Sequence, residues 1–252
     1  MPYDRLVFGN GADELMFAVA RAAKRRASGD ARGSEDATGP RPEAVIEAPA
    51  YASYRDASEA AGLAVSTIPA ALPGPADGPF IEVGPEALAE AEAALAAGPE
   101  GSVLWLGAPN NPTGLLPAGY PASVVELAGR HPDSLCICDE AFIDFCDGVD
   151  PAGAAREAAA MPNLVVLRSM TKFWAVPGLR AGYAVCSREL AAAIRSELPN
   201  WPLGSVAEAF ARRAFADPAV DERRSLTRAI VAAERSRVAA AIAEFPGLTP
   251  LR

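Results

Sequence analysis

Apolar residues along this chain come in two spacings. Short apolar or β-branched runs recur at residues 6–8, 45–46, 63–68, 103–106, 135–138, 164–167 and 183–186. Each is bounded by Gly, Pro, Asn, Asp or other polar residues, the signature of a strand. The segments between several of these runs carry helical periodicity. Residues 13–26 place Leu15, Met16, Val19 and Ala23 on one face. Residues 51–61, 86–97 and 123–129 also read as helices, the second stopping at Gly98-Pro99. Strand and helix in alternation predict an α/β sheet. From Glu189 onward the chain reads as helical, broken at 199–203 and at Asp217-Pro218, and 221–244 contains no Gly or Pro and predicts one long helix. Residues 27–42 and 73–79 are rich in Gly, Pro, Ser and Asp or Ala and predict surface loops.

This pattern also nominates a site. Three of the predicted strands run out into polar residues, at Asn111, Asp139 and Lys172. Ligands of open α/β sheets sit beyond the carboxyl ends of the strands, so topology alone brings these three together.

Composition narrows the partners. The 252 residues are 50% hydrophobic, enough for one sizeable core. The net charge of -9 argues against nucleic acid and against anionic membrane surfaces, both of which call for a basic face. No apolar run is long enough to span a membrane, and residues 1–10 lack the basic and apolar regions of a signal peptide. The expectation is a cytoplasmic protein. Cys136, Cys138, Cys146 and Cys186 have no zinc-site spacing, so buried thiols and no metal are expected.

The chemistry-bearing residues add detail. Lys172 follows an apolar strand within Ser169-Met170-Thr171-Lys172, an unusual place for a solvated surface charge. A lysine at a pocket can form a Schiff base, and Ser169 and Arg180 near it could clamp a phosphate. Asp139 could hold a proton on a cofactor ring nitrogen or could equally cap a helix. Asn110-Asn111-Pro112-Thr113-Gly114 is a turn whose amide could also donate to a ligand oxygen. Gly11-Ala12-Asp13 opens a helix, where free N–H groups suit a phosphate.

Taken together, Gly9-Asn10-Gly11-Ala12-Asp13-Glu14, Pro49-Ala50-Tyr51, Asn111-Pro112-Thr113-Gly114, Asp139-Glu140-Ala141-Phe142, Ser169-Met170-Thr171-Lys172 and Gly178-Leu179-Arg180-Ala181-Gly182-Tyr183 resemble, in order, the class I/II aminotransferase family of fold-type I pyridoxal phosphate enzymes. The resemblance implies a three-layer α/β/α large domain with a mostly parallel mixed sheet. The strand at 183–186 is then antiparallel. Residues 1–220 form the cofactor-binding large domain, and 221–252 the long helix and the start of a largely missing small domain. The cofactor implied is pyridoxal 5′-phosphate. Lys172 becomes the Schiff-base lysine and proton shuttle, and Asp139 the partner of the pyridinium nitrogen. Asn111 bonds the ring oxygen and Tyr51 stacks on the ring. Gly11, Ala12 and Asp13 give backbone donors to the phosphate, closed by Ser169 and Arg180. Phe142 departs from the tyrosine that many relatives carry there.

The run from Leu167 to Arg180, and Asp139 to Phe145 with its Phe142, resemble the threonine-phosphate decarboxylase branch, which belongs to cobalamin synthesis. Histidinol-phosphate aminotransferase is the sister branch. Either implies a small phosphorylated amino acid or amine as substrate, and a homodimer. Arg168 is a candidate for a second anion pocket, against a surface role. Trp201-Pro202 is expected either at the partner subunit or in the core. The family pattern extends beyond both ends of this chain, which leaves two further expectations open, an incomplete chain of an ordinary enzyme or a truncated module with little turnover. The exposed apolar surface would make the chain less stable than a full relative.

Overall fold

The computed structural model describes residues 1–28, 41–69, 82–83, 85–150 and 152–248. In chain order its elements are β1 (Leu6–Gly9), α1 (Ala12–Ser28), β2 (Glu43–Ala48), α2 (Ala52–Ala60), β3 (Ala64–Pro69), β4 (Glu82–Val83), α3 (Pro85–Ala97), β5 (Val103–Gly107), β6 (Leu116–Pro117), α4 (Ala122–Arg130), β7 (Leu135–Asp139), α5 (Ala155–Ala158), β8 (Leu164–Ser169), α6 (Met170–Phe173), β9 (Gly182–Val185), α7 (Arg188–Arg195), α8 (Ser205–Phe215) and α9 (Val220–Ala243).

Seven strands form one sheet in the order β1-β9-β8-β7-β5-β2-β3. β2, β3, β5, β7 and β8 pair in parallel. β9 lies antiparallel between β8 and β1, as expected for that strand. The interior strands β5, β7 and β8 are buried at every position. Such strands face helices on both sides and therefore read as unbroken apolar runs.

Alternation along each strand sorts side chains between two cores. Trp105, Ile137 and Leu167 point to the face covered by α1, α2 and α7, where they meet Leu15, Met16, Tyr54, Leu190 and Ile194. Leu104, Leu106, Cys136, Cys138 and Val166 point to the other face, against Leu95, Val124 and Leu127 of α3 and α4. The result is three layers, α/β/α. Burial pushes the thiols of Cys136 and Cys186 up to about 12, as expected of inert buried cysteines.

The same alternation continues past the strand ends and decides what faces what. Asp139 follows Ile137, and Ser169 follows Leu167, so both emerge on the α1/α2 side. Glu140 and Arg168 emerge on the opposite side.

Several expected boundaries shift. The predicted loop at 27–42 falls mostly, and that at 73–79 wholly, outside the described residues. β8 extends two residues beyond its apolar run, to Ser169, and Lys172 sits in the short helix α6. The two-residue strands β4 and β6 form a separate parallel pair that apolar periodicity does not reveal. Trp201 is 91% exposed, which excludes the core alternative for it. No described helix is long and apolar enough to cross a membrane. The long helix at 220–243 buries none of its side chains, with Leu226, Ile230 and Val238 exposed. It is tied to the body by Arg224 and Arg228, which donate to the Asp144 carboxylate and carbonyl at 3.0 and 2.8 Å.

Candidate active site

A hollow opens beyond the carboxyl ends of the central strands. Ala12, Asp13, Tyr51, Asn111, Asp139, Ser169, Lys172 and Arg180 all line it. Gly11 stands directly behind: a Cβ built there would lie 2.6 Å from Nη2 of Arg180. Every residue expected at the site is therefore brought to one place.

Its first wall is the entry into α1. Gly11 has a φ of +89°, a conformation that favours glycine, and turns the chain from β1 into the helix. The N–H groups of the first helical turn have no intrahelical acceptor. Arg180, itself left-handed at φ +50°, reaches over this turn and donates to Oδ2 of Asp13 at 3.2 Å. Oδ1 of Asp13 accepts from Tyr51 at 2.9 Å and from Ser53 at 3.0 Å. Ser169 caps α6, with its hydroxyl 2.7 Å from that of Thr171. Main-chain N–H groups, two hydroxyls and a guanidinium thus converge on one end of the hollow. This donor set suits a dianion.

The hollow is also lined by a buried carboxylate. Asp139 is 7% exposed, and its oxygens accept from the Tyr54 hydroxyl at 2.8 Å and the Ala141 N–H at 3.0 Å. Burial pushes its carboxyl above the usual range. The bonds from Tyr54 and Ala141 and the charge of Lys172 pull it back, while Asp13 adds to the rise. The carboxylate thus both caps the main-chain N–H two residues on and lines the hollow.

Lys172 also lines the hollow, its Nζ 5.7 Å from the centroid of the Phe142 ring. Phe142 starts an aromatic series in which Phe145 packs against Phe173 at 5.6 Å and Phe173 against Trp174 at 5.5 Å, clamping the short helix that carries Lys172. Asn110 builds the turn that presents Asn111. Its side chain donates to the Pro49 carbonyl at 2.9 Å, and its carbonyl accepts from Gly114 at 2.7 Å.

Arg168 requires a correction. It is not at the surface. It is 6% exposed, and its Nε donates to Oε2 of Glu140 at 2.5 Å. Oε1 of Glu140 accepts from the Ala154 N–H at 2.8 Å and from the Tyr120 hydroxyl. Burial disfavours the guanidinium, but Glu140, Tyr183 and Asp144 together more than offset this, so Arg168 holds its proton more firmly than an ordinary arginine.

The sequence pattern did not single out Tyr54, Thr171 or Met16, which also line the hollow. Tyr54 had a usable signal: it lies one helical turn beyond Tyr51, on the buried face of α2.

The family model of class I and II aminotransferases matches residues 1–251. The chain is 31% identical over 215 residues to a histidinol-phosphate aminotransferase of Limosilactobacillus fermentum, covering 85% of this chain and 52% of that protein. It is 31% identical over 220 residues to the threonine-phosphate decarboxylase of Salmonella typhimurium, covering 87% and 52%. The chain thus spans about half the length of these curated relatives. Among solved structures, the histidinol-phosphate aminotransferase of Sinorhizobium meliloti in complex with pyridoxal 5′-phosphate superimposes with a TM-score of 0.75 at 20% identity, covering 99% of this chain and 59% of that one.

Proposed function

The chain belongs to the class I and II aminotransferase family, and on that footing we propose that it serves a pyridoxal 5′-phosphate enzyme acting at the amino-bearing carbon of a small phosphorylated amino acid or amine. One observation carries the reading. One hollow is lined by the entry to α1 with Ser169 and Arg180, by a buried carboxylate, Asp139, and by an amine, Lys172. These match the cofactor's phosphate, ring nitrogen and carbonyl in kind.

When bound, the cofactor supplies a carbonyl that condenses with amines and a protonated ring that accepts the electron pair left on the substrate carbon. The first-turn N–H groups at Gly11, Ala12 and Asp13, with Ser169 and Arg180, hold the phosphate. Asp139 keeps a proton on the ring nitrogen. Asn111 donates to the ring oxygen, and Tyr51, fixed through its bond to Asp13, stacks on the ring. Lys172 anchors the cofactor and carries protons to and from the reacting carbon. Phe142 leaves the ring oxygen without a phenolic donor from that position.

For the reaction, Phe142 and the run from Leu167 to Arg180 favour a decarboxylase of the threonine-phosphate type. Transamination of the histidinol-phosphate type is the second reading, favoured by the several curated relatives that carry that name. The two differ in which bond of the substrate carbon stands perpendicular to the cofactor ring. A homodimer, with the exposed Trp201 at the contact between subunits, completes the proposal.

The test is to add pyridoxal 5′-phosphate and record visible absorption. A band that survives dialysis is expected, with the Lys172→Ala variant failing to form it and losing at least about 10³-fold in turnover. Release of carbon dioxide from threonine phosphate supports the first reading, and an oxo product from histidinol phosphate the second. A folded chain with no band would sink the cofactor assignment for this chain.

A further inference from the structure

Tyr54 has no expected role, yet its environment fixes it firmly. Its ring stacks on Trp105 with centroids 5.1 Å apart and planes 10° from parallel. The indole Nε1–H of Trp105 donates to Oγ of Ser58 at 3.0 Å. The Ser58 hydroxyl donates in turn to the carbonyl of Tyr54 itself at 2.7 Å. Stack and hydrogen bonds close a loop through α2 and β5, and all three side chains are buried. The one polar atom of Tyr54 that this loop leaves over is its hydroxyl, which points at Oδ2 of Asp139, 2.8 Å away.

We propose that Tyr54 is a positioning residue that sets the charge of Asp139, through a hydroxyl aimed by the Trp105–Ser58 loop, and thereby decides whether the proton rests on the ring nitrogen or on the carboxyl group. The inference deepens the reading of Asp139 given above and rests on it for its functional meaning. Its physical content does not depend on the cofactor. A donor held on a buried carboxylate stabilises the ionised form, because the alternative is an exposed lone pair in a medium that cannot solvate it. The Tyr54 hydroxyl keeps its own proton: burial, and then the charge of Asp139, push it well above the usual phenol range. It therefore donates at all working pH values. The other groups that bear on Asp139 are the Ala141 N–H on its own loop, Asp13 from α1 and Lys172 from α6. Tyr51 and Cys138 bear on Tyr54. Two neutral donors thus hold Asp139, and of these Tyr54 is the side chain, the Ala141 N–H belonging to the main chain. Without its hydroxyl the carboxyl becomes the stronger base and takes the proton from the ring nitrogen.

The test uses Tyr54→Phe, which keeps the stack on Trp105. In the cofactor-free chain, with its aspartates isotope-labelled at the carboxyl carbon, NMR titration reads Asp139 directly. Its midpoint is expected to rise by about 1–2 in pH, the worth of one hydrogen bond to an ionised acceptor. In the cofactor-loaded chain, pyridoxal 5′-phosphate labelled at its ring nitrogen should give a pyridinium signal in the parent and a shift towards the unprotonated ring in the variant. Ser58→Ala, which frees the Trp105 indole and loosens the aim of Tyr54 but keeps the hydroxyl, should move both signals the same way by less. It serves as the test if Tyr54→Phe does not fold. An unchanged Asp139 midpoint in the folded variants would overturn the inference and make Tyr54 a packing residue. Failure of the parent to bind the cofactor would instead strike at the proposed function, and the cofactor-free titration would still decide the inference.

Discussion

Asp139 and Glu140 are consecutive, both carboxylates, both buried, and they are held in opposite ways. Asp139 faces the hollow and is supported by neutral donors, the Tyr54 hydroxyl and the Ala141 N–H. Glu140 faces the rear and is locked to a guanidinium, a main-chain N–H and the Tyr120 hydroxyl. Burial raises Glu140 to about 7 even though the charge of Arg168 and the Ala154 N–H pull it down. One carboxylate is complete without a ligand. The other keeps its charge for something that enters from the hollow. The strand's period of two makes the division possible, since one residue along the chain is the other side of the sheet.

The comparison can be broken from the rear first. Arg168→Met should cost about 3–5 kcal/mol in chemical denaturation, because it leaves Glu140 buried and uncompensated. Removing both charges, with Glu140→Leu added, should restore stability to within about 1 kcal/mol of the parent. If the double variant stayed as unstable as the single one, the pair would not be the source of the cost. A middle-sized effect separates the two sides by rigidity. A Cβ at Gly153, where φ is +51°, would lie 2.2 Å from Oε1 of Glu140, which has nowhere to go. Gly153→Ala should therefore cost about 2 kcal/mol or more. Gly11→Ala meets the half-exposed Arg180, which can swing aside, so about 1 kcal/mol of strain is expected. It should instead weaken inorganic phosphate or cofactor binding about 10-fold by calorimetry. Equal effects of the two on stability would remove the distinction.

The smallest effect comes from a third buried carboxylate with neither kind of support. Glu47 in β2 is 3% exposed, and its Oε1 has no hydrogen-bond partner. Burial raises it from 4.5 to about 7. Between those values the folded chain retains a proton that the unfolded chain has released. Its contribution to stability is therefore present below 4.5 and is lost as pH rises through about 7. Glu47→Gln should flatten that slope and leave the protein about 1 kcal/mol more stable above neutrality. A slope unchanged by the substitution would assign it to another group.

How much of this was legible follows from what each feature depends on. The interior strands were readable because burial on both faces requires an apolar run, and the polar residues just past them marked the site. The donors at α1 were readable because a glycine before a helix is a local signal. The Tyr54–Trp105–Ser58 loop was not, since its stack joins α2 to a strand beyond α3 and leaves no spacing rule. Arg168 misled for a related reason. A charged residue at the end of an apolar strand reads as the start of solvent, whereas its partner Glu140 comes from just past the end of the neighbouring strand. Pairing across the sheet, not along the chain, turned an apparent surface cation into an interior one.

The place of β1 has a consequence for how the protein is made. It is an edge strand whose one partner in the sheet is β9, with Leu6 opposite Val185. β1 must therefore wait, unpaired, until β9, the last described strand of this sheet in chain order, has been made. Contacts of such long sequence separation form slowly, and an unpaired strand is exposed to wrong partners meanwhile. The turn that opens α1 hangs from β1, and Arg180, which reaches over it, leads into β9. If that turn holds the cofactor as proposed, a nascent chain cannot draw on cofactor binding for stability until residue 185 is free to join the sheet.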